Sequence, residues 1–203
     1  MFTSSLYPKT AQVLIKLSLE SNLKGWYLAG GTALALQIGH RKSIDLDFFT
    51  TNFPRHSLLL NNLAKHKPTV LQEDEGSLDT MIDTVKVSFL SYNYPTLEKG
   101  PKYDGVLLAS IIDIACMKLS AISSRGAKKD FYDMYFILKH ISLKELFVRF
   151  SAKFSSISYN DLHLHKSLVY FTDAETDPEP DLLENVSWEE VKKYFHGQIT
   201  ALG

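Results

Sequence analysis

The spacing of apolar positions changes character near residue 100. Before it, short apolar runs alternate with turns. In PKTAQVLIKLSLES, residues 8–21, Val13, Leu14, Leu17 and Leu19 recur at near-helical spacing, and Pro8 suits the first turn of an amphipathic helix. WYLAG reads as a short buried strand that stops at Gly30-Gly31, and the alanines and leucines of TALALQI then favour a helix. SIDLDFF has a period of two, which sends Ile44, Leu46 and Phe48 to the core and Asp45 and Asp47 together to the opposite face. Beyond Pro54 and a helix over residues 57–65, PTVLQED, SLDTMID and TVKVSFLSY read as consecutive strands, for a mixed sheet of about five.

After Gly100-Pro101 the period becomes helical. GVLLASIIDIACMKLSAISSR is one expected helix, and KDFYDMYFILKHI is another, with Phe131, Met134, Tyr135, Leu138 and Ile141 along one stripe. SLKELFVRFSAKF follows, then a short element near Leu162 to Tyr170, a solvated acidic loop TDAETDPEPD, and a last helix opened by a capping box from Ser187 to Glu190. The expected fold is α+β: a mixed sheet flanked by helices over 1–100, and a mainly helical region over 101–203 packed on that core.

At 203 residues and 45% hydrophobic, the chain can bury one large core or two small ones. Its single cysteine, Cys116, sits in an apolar run, which excludes an intramolecular disulfide and fits a reducing cytosol. No stretch reaches the ~18 apolar residues that span a bilayer, so a cytoplasmic location is expected. Net charge is −1 but unevenly placed: 10 Lys/Arg against 9 Asp/Glu in 1–100, 9 against 5 in 101–153, and 3 against 9 in 154–203. A basic middle allows a phosphate-binding surface, and equally a solvated helical face.

The chemistry concentrates in YLAGGTALALQIGHRKSIDLDFFT. Two carboxylates on one side of a strand repel unless a cation lies between them, and magnesium is the natural cation, because it takes a few carboxylate oxygens and completes its shell with water and phosphate. A strand that turns through Gly30 and Gly31 into a helix offers unobstructed N–H groups to an anion. Thr32 is placed to cap that helix and to offer its hydroxyl to a phosphate, and Arg41 or Lys42 to reach the phosphates. Each signal alone is weak. Together, with 13 residues between Gly31 and Asp45, they describe a pocket for a nucleoside triphosphate.

GG-x13-DxD resembles the signature of the polymerase β type nucleotidyltransferases. The longer text, with VKVSFLSYNYP, DIACMKLSAISSRGAKKDFYDMYFIL and SWEEVKKYF, resembles the AbiEii/AbiGii toxin branch over nearly the whole chain. The resemblance implies that Gly30, Gly31 and Thr32 cradle a triphosphate and that Asp45 and Asp47 ligate Mg2+. It further implies transfer of a nucleoside monophosphate to a hydroxyl acceptor, with RNA (the 3′ end of tRNA) as the acceptor and a cognate antitoxin as partner. The branch carries a lysine, an arginine and an acidic pair in the helical half, matched here by Lys118, Arg125, Asp130 and Asp133; Lys118 and Asp130 are then catalytic and Arg125 binds nucleotide. On the residues alone, Lys118 equally snorkels from an apolar helix, Asp130 caps one, and Lys129 with Asp133 forms an exposed pair.

One position departs from the wider superfamily. The third carboxylate expected on a later strand falls at Ser88, which is neither a strong metal ligand nor a base at neutral pH. Asp83 is near but on the wrong face, and Asp130 is the candidate replacement. Two further readings stay open: a nucleotide-binding module whose chemistry has lapsed, and a transferase for a small molecule such as an antibiotic. His163 and His165 lack zinc-like spacing to any cysteine.

Overall fold

The computed structural model describes residues 1–20 and 23–201. They form two compact units, Met1–Pro95 with Lys99–Ala109, and Thr96–Glu98 with Ser110–Gly203.

The first unit is a seven-stranded mixed sheet with helices. In chain order it contains α1 (Pro8–Ser18), β1 (Tyr27–Ala29), α2 (Gly30–Ile38), β2 (Leu46–Thr50), α3 (His56–Leu63), β3 (Thr69–Asp74), β4 (Ser77–Ile82), β5 (Val85–Ser91), β6 (Lys102–Tyr103) and β7 (Val106–Leu108). The strand order is β3-β4-β5-β2-β1-β7-β6. Central β2 runs antiparallel to β1 and parallel to β5. Its buried face, Leu46 and Phe48, meets Val87 and Phe89, with the Phe48 and Phe89 rings stacked at 5.6 Å. Burial of each such side chain contributes about 1.5–3 kcal/mol. Pro8 occupies the first turn of α1, as its fixed φ predicts.

Three expectations are corrected. The sheet has seven strands rather than five, because Val106–Leu108 is not the start of a helix but pairs with β1, Leu28 opposite Leu108, and with the short β6. An apolar run such as VLLASII has no period that tells strand from helix. The boundary lies at Ser110, whose hydroxyl accepts from the Asp113 amide at 3.0 Å and so starts the next helix at Ile111. Ile44 does not face the core: it is 56% exposed, since the regular alternation begins only at Leu46.

The second unit is helical: α4 (Ile111–Ser124), α5 (Lys128–Ile137), α6 (Leu143–Lys153), α7 (Asp161–Ser167) and α8 (Trp188–Thr200). The Ser187–Glu190 capping box opens α8 as the sequence predicts. Phe131 on α5 lies edge-on to Trp188 and Phe195 of α8, at 5.8 and 5.7 Å. A buried ion pair holds α4 to α6, Lys153 Nζ lying 2.7 Å from Asp113 Oδ1. The same carboxylate accepts the Leu97 and Glu98 amides and the Ser110 hydroxyl. Burial alone would raise the Asp113 pKa, but Lys153, the Leu97 amide and Ser110 outweigh it and hold the group below its ordinary value.

A depressed folded-state pKa gives stability that is present above the unfolded carboxylate value and lost as pH falls through the folded one. Lys153→Met should cost about 3–5 kcal/mol at neutral pH by stranding a buried carboxylate. Chemical denaturation followed by circular dichroism should show that deficit shrinking as pH falls, because the unpaired, buried Asp113 carboxyl takes up a proton at a higher pH in the variant than in the parent.

Candidate active site

The site grows from the join between β1 and α2. Gly30 has φ +67°, and a Cβ there would lie 2.7 Å from Asp47 Oδ2. Only glycine accepts that backbone and lets the carboxylate rest against the turn. At Gly31 a Cβ would collide with the Arg41 guanidinium. Arg41 is buried, and its Nη1 donates to the Lys42 carbonyl at 2.9 Å, so the guanidinium folds back over the glycine turn. Gly30, Gly31, Arg41 and Asp47 are thus brought into one place.

Thr32 has a different role from the expected cap. The N-cap is Ala29, whose methyl group cannot bond the first-turn amides, and Thr32 lies inside the helix, buried. Its hydroxyl donates to the Asp45 carbonyl and meets Ser43 Oγ at 2.7 Å. Thr32 therefore ties α2 to the residue that enters β2. Asp45 lies just ahead of the strand and Asp47 within it, both partly exposed on either side of buried Leu46.

Strand register carries this row across the sheet. Ala29 pairs with Asp47, Asp47 with Ser88, and Ser88 with Asp79. Ser88, at the position expected for a third carboxylate, is buried and donates to Asp79. Asp79 also pairs with Lys86, Nζ to Oδ2 at 2.6 Å. Burial opposes ionisation of Asp79, but Lys86 and Ser88 prevail and hold its pKa low. A carboxylate therefore stands one strand beyond the expected position. Sequence reasoning passed over Asp79 because the pairing of β4 with β5, not spacing, puts it in the row. Asp83 lies in the hairpin turn with φ 48° and pairs with Lys16, away from this row.

Asp45 and Asp47 offer hard oxygen donors without sulfur or imidazole, which suits magnesium. Among the described residues no three His, Cys, Asp or Glu side chains converge as a metal cluster. A bound ion would take its remaining ligands from water and phosphate, as magnesium commonly does.

In the second unit, Lys118 on α4 reaches two carboxylates of α5, Asp130 Oδ1 at 2.6 Å and Asp133 Oδ2 at 2.5 Å. Asp133 is fully buried rather than turned to solvent, because the lysine needs both acids and they sit three apart on one helix face. Arg125 caps the C-terminus of α4, mostly exposed, with Nε 3.9 Å from Asp130 Oδ2. That oxygen has no hydrogen-bond partner among the described residues. The acidic loop is not merely solvated: Asp177 accepts the Lys128 amide, and Glu179 takes both Lys128 Nζ and the Tyr132 hydroxyl. Lys128 is thereby buried and neutralised. Burial pushes the Cys116 thiol up to about 12, which leaves it unreactive. His163 bonds the Ser123 carbonyl at 2.9 Å.

Comparison with known proteins places these features. A family model described as the nucleotidyl transferase AbiEii toxin of a type IV toxin–antitoxin system matches residues 12–101. An uncharacterised protein from Aquifex aeolicus (strain VF5) is 39% identical over 183 residues, 86% of each chain. The chain belongs to the AbiEii nucleotidyltransferase toxin family. Among solved structures, a candidate nucleotidyltransferase from H. pylori superposes with TM-score 0.61 at 18% identity, over 97% of this chain and 95% of that one. MenT4, a nucleotidyltransferase toxin from Mycobacterium tuberculosis H37Rv, gives 0.60 at 16% identity, over 97% and 87%. Both share the nucleotidyltransferase fold. This AbiEii-family protein is a transferase, and its family implies a nucleoside triphosphate and an antitoxin. No helix among its described residues is long and apolar enough to cross a membrane.

The glycine turn of the AbiEii fold yields a direct test. Gly30→Ala should lose about 1–2 kcal/mol from the left-handed backbone alone, plus the displacement of Asp47. Denaturant melts of Gly30→Ala and of Gly30→Ala with Asp47→Ala should show the double variant recovering the second part, a non-additivity that separate sites would not give.

Proposed function

We propose that this protein transfers a nucleoside monophosphate from a triphosphate to an RNA hydroxyl, the 3′ end of tRNA, as the magnesium-dependent toxin of a toxin–antitoxin pair. The observation that carries the reading is the Asp47 carboxylate resting against the Gly30 turn, which sets a cation site beside an anion site. Asp45 and Asp47 are the residues that would hold magnesium, and the ion would offset charge on the triphosphate and polarise the phosphorus under attack. The first-turn amides of α2, which carry no side-chain cap, and the Arg41 guanidinium take the phosphates. Thr32 acts indirectly, by fixing the backbone of Asp45. Asp130 is the candidate proton acceptor: among the described residues its Oδ2 has no hydrogen-bond partner, while Lys118 holds its Oδ1.

RNA as the acceptor is supported by the second unit. A pocket of about 560 Å³ there is lined by Arg125, His163, Lys166 and Tyr170, among others. Tyr170 is 54% exposed and, among the described residues, stacks on no other ring, whereas Tyr132, Tyr135, Tyr159 and Tyr194 all do. A cationic rim beside an open aromatic face is the chemistry that takes a single-stranded nucleotide. The expected basic segment contributes less than its charge count suggests: Lys118 and Lys128 are neutralised internally, and Arg125 and Lys129 stay exposed.

Incubation with each α-labelled triphosphate, magnesium and total RNA should place label on RNA. Asp47→Ala should reduce the rate at least roughly 100-fold, the scale of losing one preorganised electrostatic partner. Label on an added aminoglycoside instead of RNA would overturn the acceptor, and triphosphate binding without transfer would establish a lapsed module.

A further inference from the structure

Lys86 on β5 has no part in the site described so far beyond its pairing with Asp79. On β5 it precedes Ser88 by two residues and so shares its face of the sheet. Leu46 pairs with Val87 in parallel register, and the preceding residues on the two strands are Asp45 and Lys86. Asp47 sits diagonally across, opposite Ser88. On the other side Asp79 pairs directly with the Lys86 ammonium at 2.6 Å. One cation thus pairs with Asp79 and shares a sheet face with Asp45 and Asp47, the two residues proposed to hold the metal. Its pKa is raised, chiefly by the hydrogen bond with Asp79 and further by the charges of Asp45 and Asp47.

We propose that Lys86 is the resident counter-ion of this site: held by Asp79, its ammonium offsets the charge of Asp45 and Asp47 in the metal-free protein, and a divalent cation binds by competing with it. This rests on the reading of Asp45 and Asp47 as metal ligands. It explains how the fold keeps two like charges close together, with Asp47 against the Gly30 turn, before any metal arrives. It also gives the displaced row of Ser88 and Asp79 a purpose. Ser88 orients the Asp79 carboxylate, and Asp79 draws the lysine away from the pair that must receive the metal. Asp79 and Lys86 are positioning residues on this account. Lys86 is 42% exposed at its side chain, so its ammonium has room to swing into solvent or towards a phosphate when the ion enters.

The test uses the full chain and Mn2+ alone as the probe, with free Mn2+ read by electron paramagnetic resonance. Lys86→Met should tighten Mn2+ binding about threefold to tenfold, the scale of removing one nearby charge in a partly solvated site, while Lys86→Arg should remain near the parent. Asp79→Asn should weaken binding in the parent and have little effect in the Lys86→Met background, because it acts through the lysine. Equal or weaker Mn2+ binding by Lys86→Met overturns the proposal, as does an undiminished Asp79→Asn effect without the lysine. Thermal melts of the metal-free protein decide it separately. Lys86→Met should lower Tm, and adding Asp47→Asn should restore part of the loss. An unchanged Tm for Lys86→Met overturns the counter-ion. Failure of the parent to bind Mn2+ overturns the metal reading, and with it the competition, whatever the melts show.

Discussion

Two carboxylates at positions 45 and 47 are kept near each other, and Asp47 lies against the Gly30 turn. Coulomb repulsion sets this constraint, and the first unit meets it locally. A glycine with positive φ lets Asp47 lie against the chain, a buried threonine clamps the backbone of Asp45, and an arginine folds over the second glycine. Each device needs the central position of β2, flanked by β1 on one side and β5 on the other. An edge strand would leave the pair to water and the turn without a partner.

The second unit manages charge in another way. Its helices carry lysines and acids at depth, matched in pairs: Lys153 with Asp113, Lys118 with Asp130 and Asp133, Lys128 with Glu179. Such pairs add little net stability over apolar substitutes, but breaking one is costly, so they define which helix meets which. The consequence for function is that formal charge along the chain overstates what a polyanion would meet. Within the basic segment 101–153, Lys118 and Lys128 are neutralised inside the unit, while Arg125 and Lys129 stay exposed.

The row that crosses the sheet from Asp47 shows how strand pairing places residues distant in sequence side by side. Ser88 on β5 stands opposite Asp79 on β4 and helps to hold its pKa low, and Asp79 binds Lys86. Spacing along the chain does not show that neighbourhood, whereas the pairing of strands does.

Much of the fold was legible in the chain because it depends on local physics. Period two around Leu46 and Phe48, helical stripes after residue 110, Pro8 and the Ser187 capping box all act within a few residues of themselves. The glycine turn and the acidic pair were legible for the same reason: a backbone without Cβ and a same-face spacing are properties of short segments. Val106–Leu108, Asp79, Asp133 and Lys128 were not, since each owes its state to a partner distant in sequence: β1, β5, Lys118 and the acidic loop. Sequence by itself determined which segments want to be helix or strand and that a glycine turn stands shortly before an acidic pair. Tertiary structure alone decided which charges are neutralised, because a lysine that ends in water and one that ends between two carboxylates carry the same letter until long-range packing chooses their neighbours.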